Sequence, residues 1–130
     1  MRKVIRTSDA PLPRGVYSQA IVADGFVFVA GQIPVDPKTN ELALGDFKSE
    51  ARLTLRNVQA ALQAAGSSLD DAVRLGVFLA DVNDFPVLNE VFKEFFSDDP
   101  PVRTTVAVLL PKIKIEIDCI ALVRNKRKGR

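Results

Sequence analysis

The segment from Pro101 to Ile117 constrains this chain more than any other. It reads Pro-Val-Arg-Thr-Thr-Val-Ala-Val-Leu-Leu-Pro-Lys-Ile-Lys-Ile-Glu-Ile. β-Branched and aliphatic residues run through it with a break only at Pro111-Lys112, so it reads as two strands folded over a short turn. One arginine and one glutamate are set inside otherwise apolar sheet. Side chains alternate along a strand, so Arg103, Thr105 and Ala107 share a face, as do Lys114, Glu116 and Asp118. With a loop of Pro111-Lys112 alone, Leu110 pairs with Ile113 and Ala107 with Glu116. Arg103, Thr105 and Glu116 then line one surface, with Thr105 and Glu116 diagonal neighbours at about 7 Å. That spacing leaves room for a small acid and a water.

The rest of the chain supplies elements that could surround such a sheet. Lys3 to Thr7 reads as a short edge strand, and the following Ser8 to Gly15, with two prolines and a glycine, as loop. Val16 to Val22, Ala23-Asp24-Gly25 and Phe26 to Ala30 read as a β-hairpin, since Asp-Gly supplies the positive φ of a tight turn. Gly31-Gln32-Ile33-Pro34 breaks the strand, and Val35 to Gly45 reads as a polar turn region. Asp46 opens a helix to about Ala65, with Phe47, Ala51, Leu55, Val58, Leu62 and Ala65 spaced by fours and threes and Gly66 at its end. Val73 to Ala80 is an almost wholly apolar strand. Its separation from the hairpin by a long helix predicts a βαβ-type crossover. Asp84, as N-cap with Pro86 in the first turn, starts a second helix to about Phe96 whose apolar stripe is Phe85, Leu88, Phe92 and Phe95. Asn89 interrupts that stripe, and either satisfies neighbouring backbone or points into a pocket. Two helices cover one face of so wide a sheet. The strands Val73 to Ala80 and Thr104 to Leu110 are apolar on both faces, so a second copy of the chain is expected on the other.

Composition narrows the chemistry. The 130 residues include no histidine and one cysteine, which removes Ser-His-Asp and Cys-His nucleophiles, histidine zinc sites, CxxC redox chemistry and internal disulfides. Catalysis would fall to carboxylates, Tyr, Lys, Arg, hydroxyls or backbone. Cys119 shares a strand face with Ile115 and Ile117, so it reads as a small core residue rather than a reactive thiol. The net charge is +2, yet Arg124, Lys126, Arg127, Lys128 and Arg130 crowd the last seven positions; without those five the body stands at 2 − 5 = −3. Such a body is a poor start for nucleic-acid binding. Residues 125 to 130 read as a disordered solvating tail, with an electrostatic arm for RNA as the alternative, and residues 1 to 124 as a single domain. The opening Met-Arg-Lys is followed by only two apolar residues, and no apolar run approaches a membrane span, so a soluble, cytoplasmic chain is expected.

Taken together, several motifs resemble the Rid family, also called YjgF or endoribonuclease L-PSP, and most closely its RidA subgroup. They are Ala10-Pro11 with Gly15-Val16-Tyr17-Ser18-Gln19-Ala20, Ala30-Gly31-Gln32-Ile33-Pro34, Val82-Asn83-Asp84-Phe85 leading to Asn89, and Pro101-Val102-Arg103 with Leu110-Pro111-Lys112 and Ile115-Glu116-Ile117. The resemblance runs from about Val4 to Val123. It implies a chorismate-mutase-like α+β fold, with two helices packed on one face of a mixed sheet, and a homotrimer with clefts between subunits. The activity it implies is hydrolysis of reactive 2-imino acids, such as 2-iminobutanoate and 2-iminopropanoate, to 2-keto acids and ammonia, with no metal or cofactor. Residue by residue it places carboxylate binding on Arg103, water positioning on Glu116, a cleft tyrosine on Tyr17, the helix asparagine on Asn89 and cleft-lining backbone at Gly31.

The chemistry of these residues suits those roles. A guanidinium offers a planar fork to a carboxylate, a glutamate can orient and deprotonate water, and a phenol can relay a proton. On residue grounds alone each has a plainer reading. Arg103 could form an ion pair, with Glu116 itself for instance, Glu116 could belong to a solvated strand face with Lys114 and Asp118, and Tyr17 could be a core or interface aromatic. The chain departs from common RidA patterns at Thr105, where cysteine is frequent, at Ala30, where serine is, at Val16 in place of proline, and around Pro100, in a shortened segment from Ser97 to Val102. Thr105 stays among the substrate-binding candidates. Two alternatives stand beside the deaminase: an RNA-binding or RNA-cleaving protein, and a non-catalytic trimer that holds a small carboxylate metabolite.

Overall fold

The fold, taken from a computed structural model, is described over residues 1–124. The basic tail beyond Arg124 lies outside the described residues.

Asp24 (φ 52°) and Gly25 (φ 81°) both take the left-handed conformation that a tight hairpin turn requires. They join β2 (Ala20–Ala23) to β3 (Phe26–Gln32), and β1 (Arg2–Ile5) pairs antiparallel with β2 at the sheet edge. The hairpin begins at Ala20 rather than Val16, because Gln19 is a tie and not a strand residue. Its Oε1 accepts from Thr7 N at 2.9 Å while Nε2 donates to Thr7 O at 2.9 Å and Pro11 O at 2.8 Å. The region expected to be polar turn instead folds as a small two-stranded sheet, β4 (Val35–Asp36) against β5 (Glu41–Leu42), with Val35 fully buried.

Helix α1 (Phe47–Ala64) starts where Asp46 Oδ1 accepts from Ser49 N at 2.8 Å and ends before Gly66 at φ 81°. Strand β6 (Ala72–Leu79) follows, then α2 (Phe85–Phe95), β7 (Val102–Ala107) and β8 (Ile115–Leu122). Asp84 does not cap α2 as expected. A short 3₁₀ turn over Val82–Asp84 precedes the helix, and Asp81 is the capping side chain, accepting from Asn83 N at 2.9 Å. The six-stranded sheet has the order β1-β2-β3-β8-β6-β7. Strands β3 and β6 are both antiparallel to β8 and therefore parallel to each other, so α1 makes the expected crossover.

The turn at Pro111-Lys112 does not make a hairpin. Strand β7 pairs with β6, in parallel, and β6 lies between β7 and β8. An all-apolar strand gains most from the interior of a sheet, where both edges are hydrogen-bonded and both faces can be covered. The chain after β7 therefore steps across β6, with Val108 N donating to Leu79 O at 2.8 Å and Ala80 N to Lys114 O at 3.1 Å. The register then settles which way each side chain points. Leu75 is level with both Arg103 and Cys119, Val77 with Thr105 and Ile117, and Phe78 with Val106 and Glu116. Arg103 and Thr105 thus share the face of buried Leu75, Val77, Ile117 and Cys119, which α1 and α2 cover. Glu116 is on the other face, and the single surface expected for the three residues does not exist within one chain.

The core fills the helix side. Phe47, Ala51, Leu55, Val58 and Leu62 of α1 meet Val27, Val29, Leu75, Val77, Ile115, Ile117 and Cys119. Cys119 is a core residue, its thiol pushed up to about 12 by burial and the nearby Asp118 carboxylate. The opposite face carries Val4, Ile21, Phe28, Phe78, Val106 and Ile120, and no helix among the described residues lies over it; Phe28 is 45% exposed and Val106 42%. No helix among the described residues is long and apolar enough to cross a membrane.

Candidate functional site

Two groups of candidate residues form, one on each side of the sheet. On the helix side, β7 is an edge strand and α2 runs beside it, so Arg103 leaves the sheet against one stripe of that helix. The guanidinium carbon lies 5.3 Å from the Phe85 ring centroid and 4.8 Å from that of Phe92, and Nη2 donates to Asn89 Oδ1 at 2.9 Å. Asn89 therefore serves an arginine rather than backbone. Among the described residues no carboxylate pairs with Arg103. Burial lowers its pKa from the ordinary arginine value, which still leaves it charged at any physiological pH. A cavity of about 410 Å³ beside it is lined by Asn89, Phe92, Lys93, Ser97 and Pro100 among others. Thr105 follows on the same face, and its Oγ1 is buried without a hydrogen-bond partner.

On the open side, Glu116 leans across β3 onto Gly31. A Cβ at Gly31 would fall on the Glu116 carboxylate, so only glycine leaves that carboxylate its place. The ladder between β3 and β8 shifts register between Val29 and Gln32, so Gly31 lies within the irregularity. One backbone carbonyl and two buried side-chain amides hold it. Gln19 O accepts from Ala30 N at 2.9 Å, Gln32 Nε2 donates to Ala30 O at 3.2 Å, and Asn57 Nδ2 of α1 donates to Ile33 O at 3.1 Å and Val35 O at 2.9 Å. Burial first, and the Asp118 carboxylate second, raise the Glu116 pKa above the ordinary glutamate value. Asp118 turns the other way, toward β6, accepting from Gly76 N at 3.0 Å and Arg74 Nη1 at 3.4 Å. Tyr17 is half exposed, its hydroxyl accepting from Arg14 N at 2.9 Å. It shares one small cavity with Gly31 and another, larger one of about 560 Å³ with Phe28 and Ala30.

Tyr17, Gly31 and Glu116 thus belong together, and Arg103, Asn89 and Thr105 belong together, with the sheet between them. Sequence reasoning missed the supporting residues Gln19, Gln32, Asn57 and Glu50, all buried. The signal was present in α1, where Glu50 and Asn57 adjoin stripe positions Ala51 and Val58 and turn inward with them. Among the described residues no cluster of His, Cys, Asp and Glu could hold a metal ion.

The chain is thus an α+β domain with a mixed sheet and two helices on one face, and it carries a guanidinium and a carboxylate on opposite sides of that sheet. The chain belongs to the endoribonuclease L-PSP family, the Rid family, whose pattern matches residues 7–123. It is 51% identical to a RutC family protein of Pyrococcus horikoshii, over 93% of this chain and 98% of that one. It is 39% identical to a 2-iminobutanoate/2-iminopropanoate deaminase of Dermatophagoides farinae, over 94% of this chain and 97% of that one. The crystal structure of Escherichia coli TdcF with bound serine superposes with a TM-score of 0.87 at 42% identity, over 94% of this chain and 99% of that one.

Proposed function

We propose that this chain hydrolyses reactive 2-imino acids, 2-iminobutanoate and 2-iminopropanoate, to 2-keto acids and ammonia, in the cytoplasm and in clefts between the subunits of a homotrimer. The observation that carries the reading is Arg103: a half-buried guanidinium, held by Asn89 and two rings, with no carboxylate paired to it among the described residues. A substrate carboxylate would complete it through a planar two-point contact. Their positions on opposite faces leave Arg103 and Glu116 of one chain unable to pair with each other. Those positions also favour a shared site, in which Arg103, Asn89 and Thr105 of one copy face Tyr17, Gly31 and Glu116 of another. The deaminase relative and the serine held by the E. coli relative support a small amino- or imino-acid ligand.

In that cleft the carboxylate end rests on Arg103 while the imine carbon faces the Glu116 side. Ionised Glu116 accepts a proton as a water oxygen adds to the imine carbon. That proton passes to the nitrogen and gives the carbinolamine; the nitrogen then gains a second proton, for which Tyr17 Oη is the relay, and leaves as ammonia as the hydroxyl gives up its own proton in replacement and the keto group forms. Imines hydrolyse readily in water, so orientation supplies much of the acceleration.

The test is an assay in which a threonine dehydratase releases iminobutanoate and semicarbazide traps it. Wild type is expected to suppress semicarbazone formation, and Arg103→Ala and Glu116→Gln to lose at least about a hundredfold in kcat/KM. Co-refolding the two variants in equal amounts should restore about a quarter of the wild-type rate, the fraction of shared sites that draw both intact residues. A wild type no faster than Arg103→Ala sinks the deaminase reading. A mixture as dead as its components sinks the shared cleft.

A further inference from the structure

We propose that Phe85 and Phe92, with Asn89 between them, form an aromatic clamp that sets the orientation of Arg103 before substrate arrives. The two rings are thereby positioning residues for the carboxylate end of the ligand. The inference rests on the carboxylate role given to Arg103 and deepens it.

Positions 85, 89 and 92 are spaced by four and three, so they project from one face of α2 toward the same side chain. Both ring contacts, at 5.3 and 4.8 Å, fall within the range over which a guanidinium is attracted to an aromatic face. Arginine side chains carry many rotamers, and β7 lies at the sheet edge with no strand beyond it among the described residues to confine this one. A carboxylate partner would also confine it, but would neutralise the charge and occupy the N–H groups that a ligand needs. A phenylalanine ring has no acceptor lone pair. It can cover a guanidinium face, keep water off it and leave the edge open. Asn89 Oδ1 takes one contact at Nη2, at 2.9 Å, and Nε and Nη1 have no hydrogen-bond partner among the described residues. The remaining N–H groups open beside the cavity of about 410 Å³ that Asn89, Phe92, Lys93 and Ser97 line. Ordering the arginine during folding removes that entropy loss from the binding step.

The two phenylalanines are not equally embedded. Phe92 is 9% exposed and its ring lies 5.2 Å from that of Phe96, whereas Phe85 is 38% exposed, so Phe85→Leu can be made with little risk to the core. The experiment compares wild type with Phe85→Leu, Phe92→Leu and Phe92→Tyr. Two readouts are the order parameter of the Arg103 Nε–H by NMR in the free protein, and the affinity for 2-oxobutanoate by calorimetry. The expected order parameter is about 0.8 in wild type and Phe92→Tyr and below about 0.6 in the leucine variants. The Kd for 2-oxobutanoate should rise about tenfold in the leucine variants, which is about 1.4 kcal/mol, and kcat for iminobutanoate should stay within about twofold. Phe92→Tyr, which keeps the ring, should restore both readouts.

An Arg103 equally ordered without the rings overturns the clamp. So does an unchanged affinity in Phe85→Leu, or a kcat that falls in step with affinity. Failure of wild type to hold 2-oxobutanoate overturns it as well. Wild type that binds 2-oxobutanoate but does not turn over the imine counts against the deaminase and leaves the binding and NMR arms to decide the clamp.

Discussion

Glu116 is the residue whose surroundings translate most directly into a measurable property. Burial and Asp118 both favour its neutral form, so at any given pH it is more protonated than an ordinary glutamate. A base must be ionised to work, and kcat/KM for imine hydrolysis should therefore fall as pH drops through a value above the ordinary glutamate value of 4.5. Asp118→Asn removes the smaller of the two causes and leaves the larger. The acid limb of the pH profile should move to lower pH, but not all the way to the ordinary value. A limb that stays put or moves upward in Asp118→Asn would show that Glu116 does not set it. At this scale the sequence was legible by type and opaque by direction. Arg103, Glu116, Tyr17 and Asn89 could be singled out as chemistry-bearing, and Cys119 as core. Nothing local, however, says that the Glu116 carboxylate rests on Gly31 or that Asn89 turns to Arg103, since in each pair the partner lies on another element.

At the scale of elements, the repeating patterns were the readable part. The four-and-three spacing from Phe47 to Leu62, the Asp46 cap, Gly66 past the end, and the Asp24-Gly25 turn are local signals whose causes lie within a few residues. What locks these elements together is not periodic. Glu50 is fully buried in α1, yet its Oε1 accepts from Lys114 N at 2.9 Å and its Oε2 from Gly45 N at 3.1 Å and Lys114 Nζ at 3.3 Å. One carboxylate thereby ties the start of the helix to the loop before it and to the loop entering β8. Glu50→Ala would leave two backbone donors without partners, and should lower the unfolding free energy by about 3 kcal/mol in urea melts. Glu50→Gln, which keeps an acceptor, should lose less. Equal losses would show that the charge, not the hydrogen bonds, does the tying.

At the scale of the whole molecule, the face bearing Phe28, Phe78, Val106 and Ile120 makes association the expected state. Light scattering should give three times the chain mass at micromolar concentration. Phe28→Asp, which puts a charge in the centre of that face, should shift the protein toward monomer and abolish iminobutanoate turnover while its helix content stays near wild type. A fully active monomer would contradict both the shared cleft and the account of Arg103 and Glu116. The sequence by itself determined the order of the main strands, the two helices and their single covered face, and the core cysteine, though not β4 and β5. These follow from periodicity, turn residues and composition, which act over a few positions. Only the tertiary structure decided that β6 lies between β7 and β8. Two apolar strands joined by a short proline turn look the same whether they pair or straddle a third. The apolar β6, satisfied on both edges only in the interior, takes the place between them, and that puts Arg103 and Glu116 on opposite faces of one sheet.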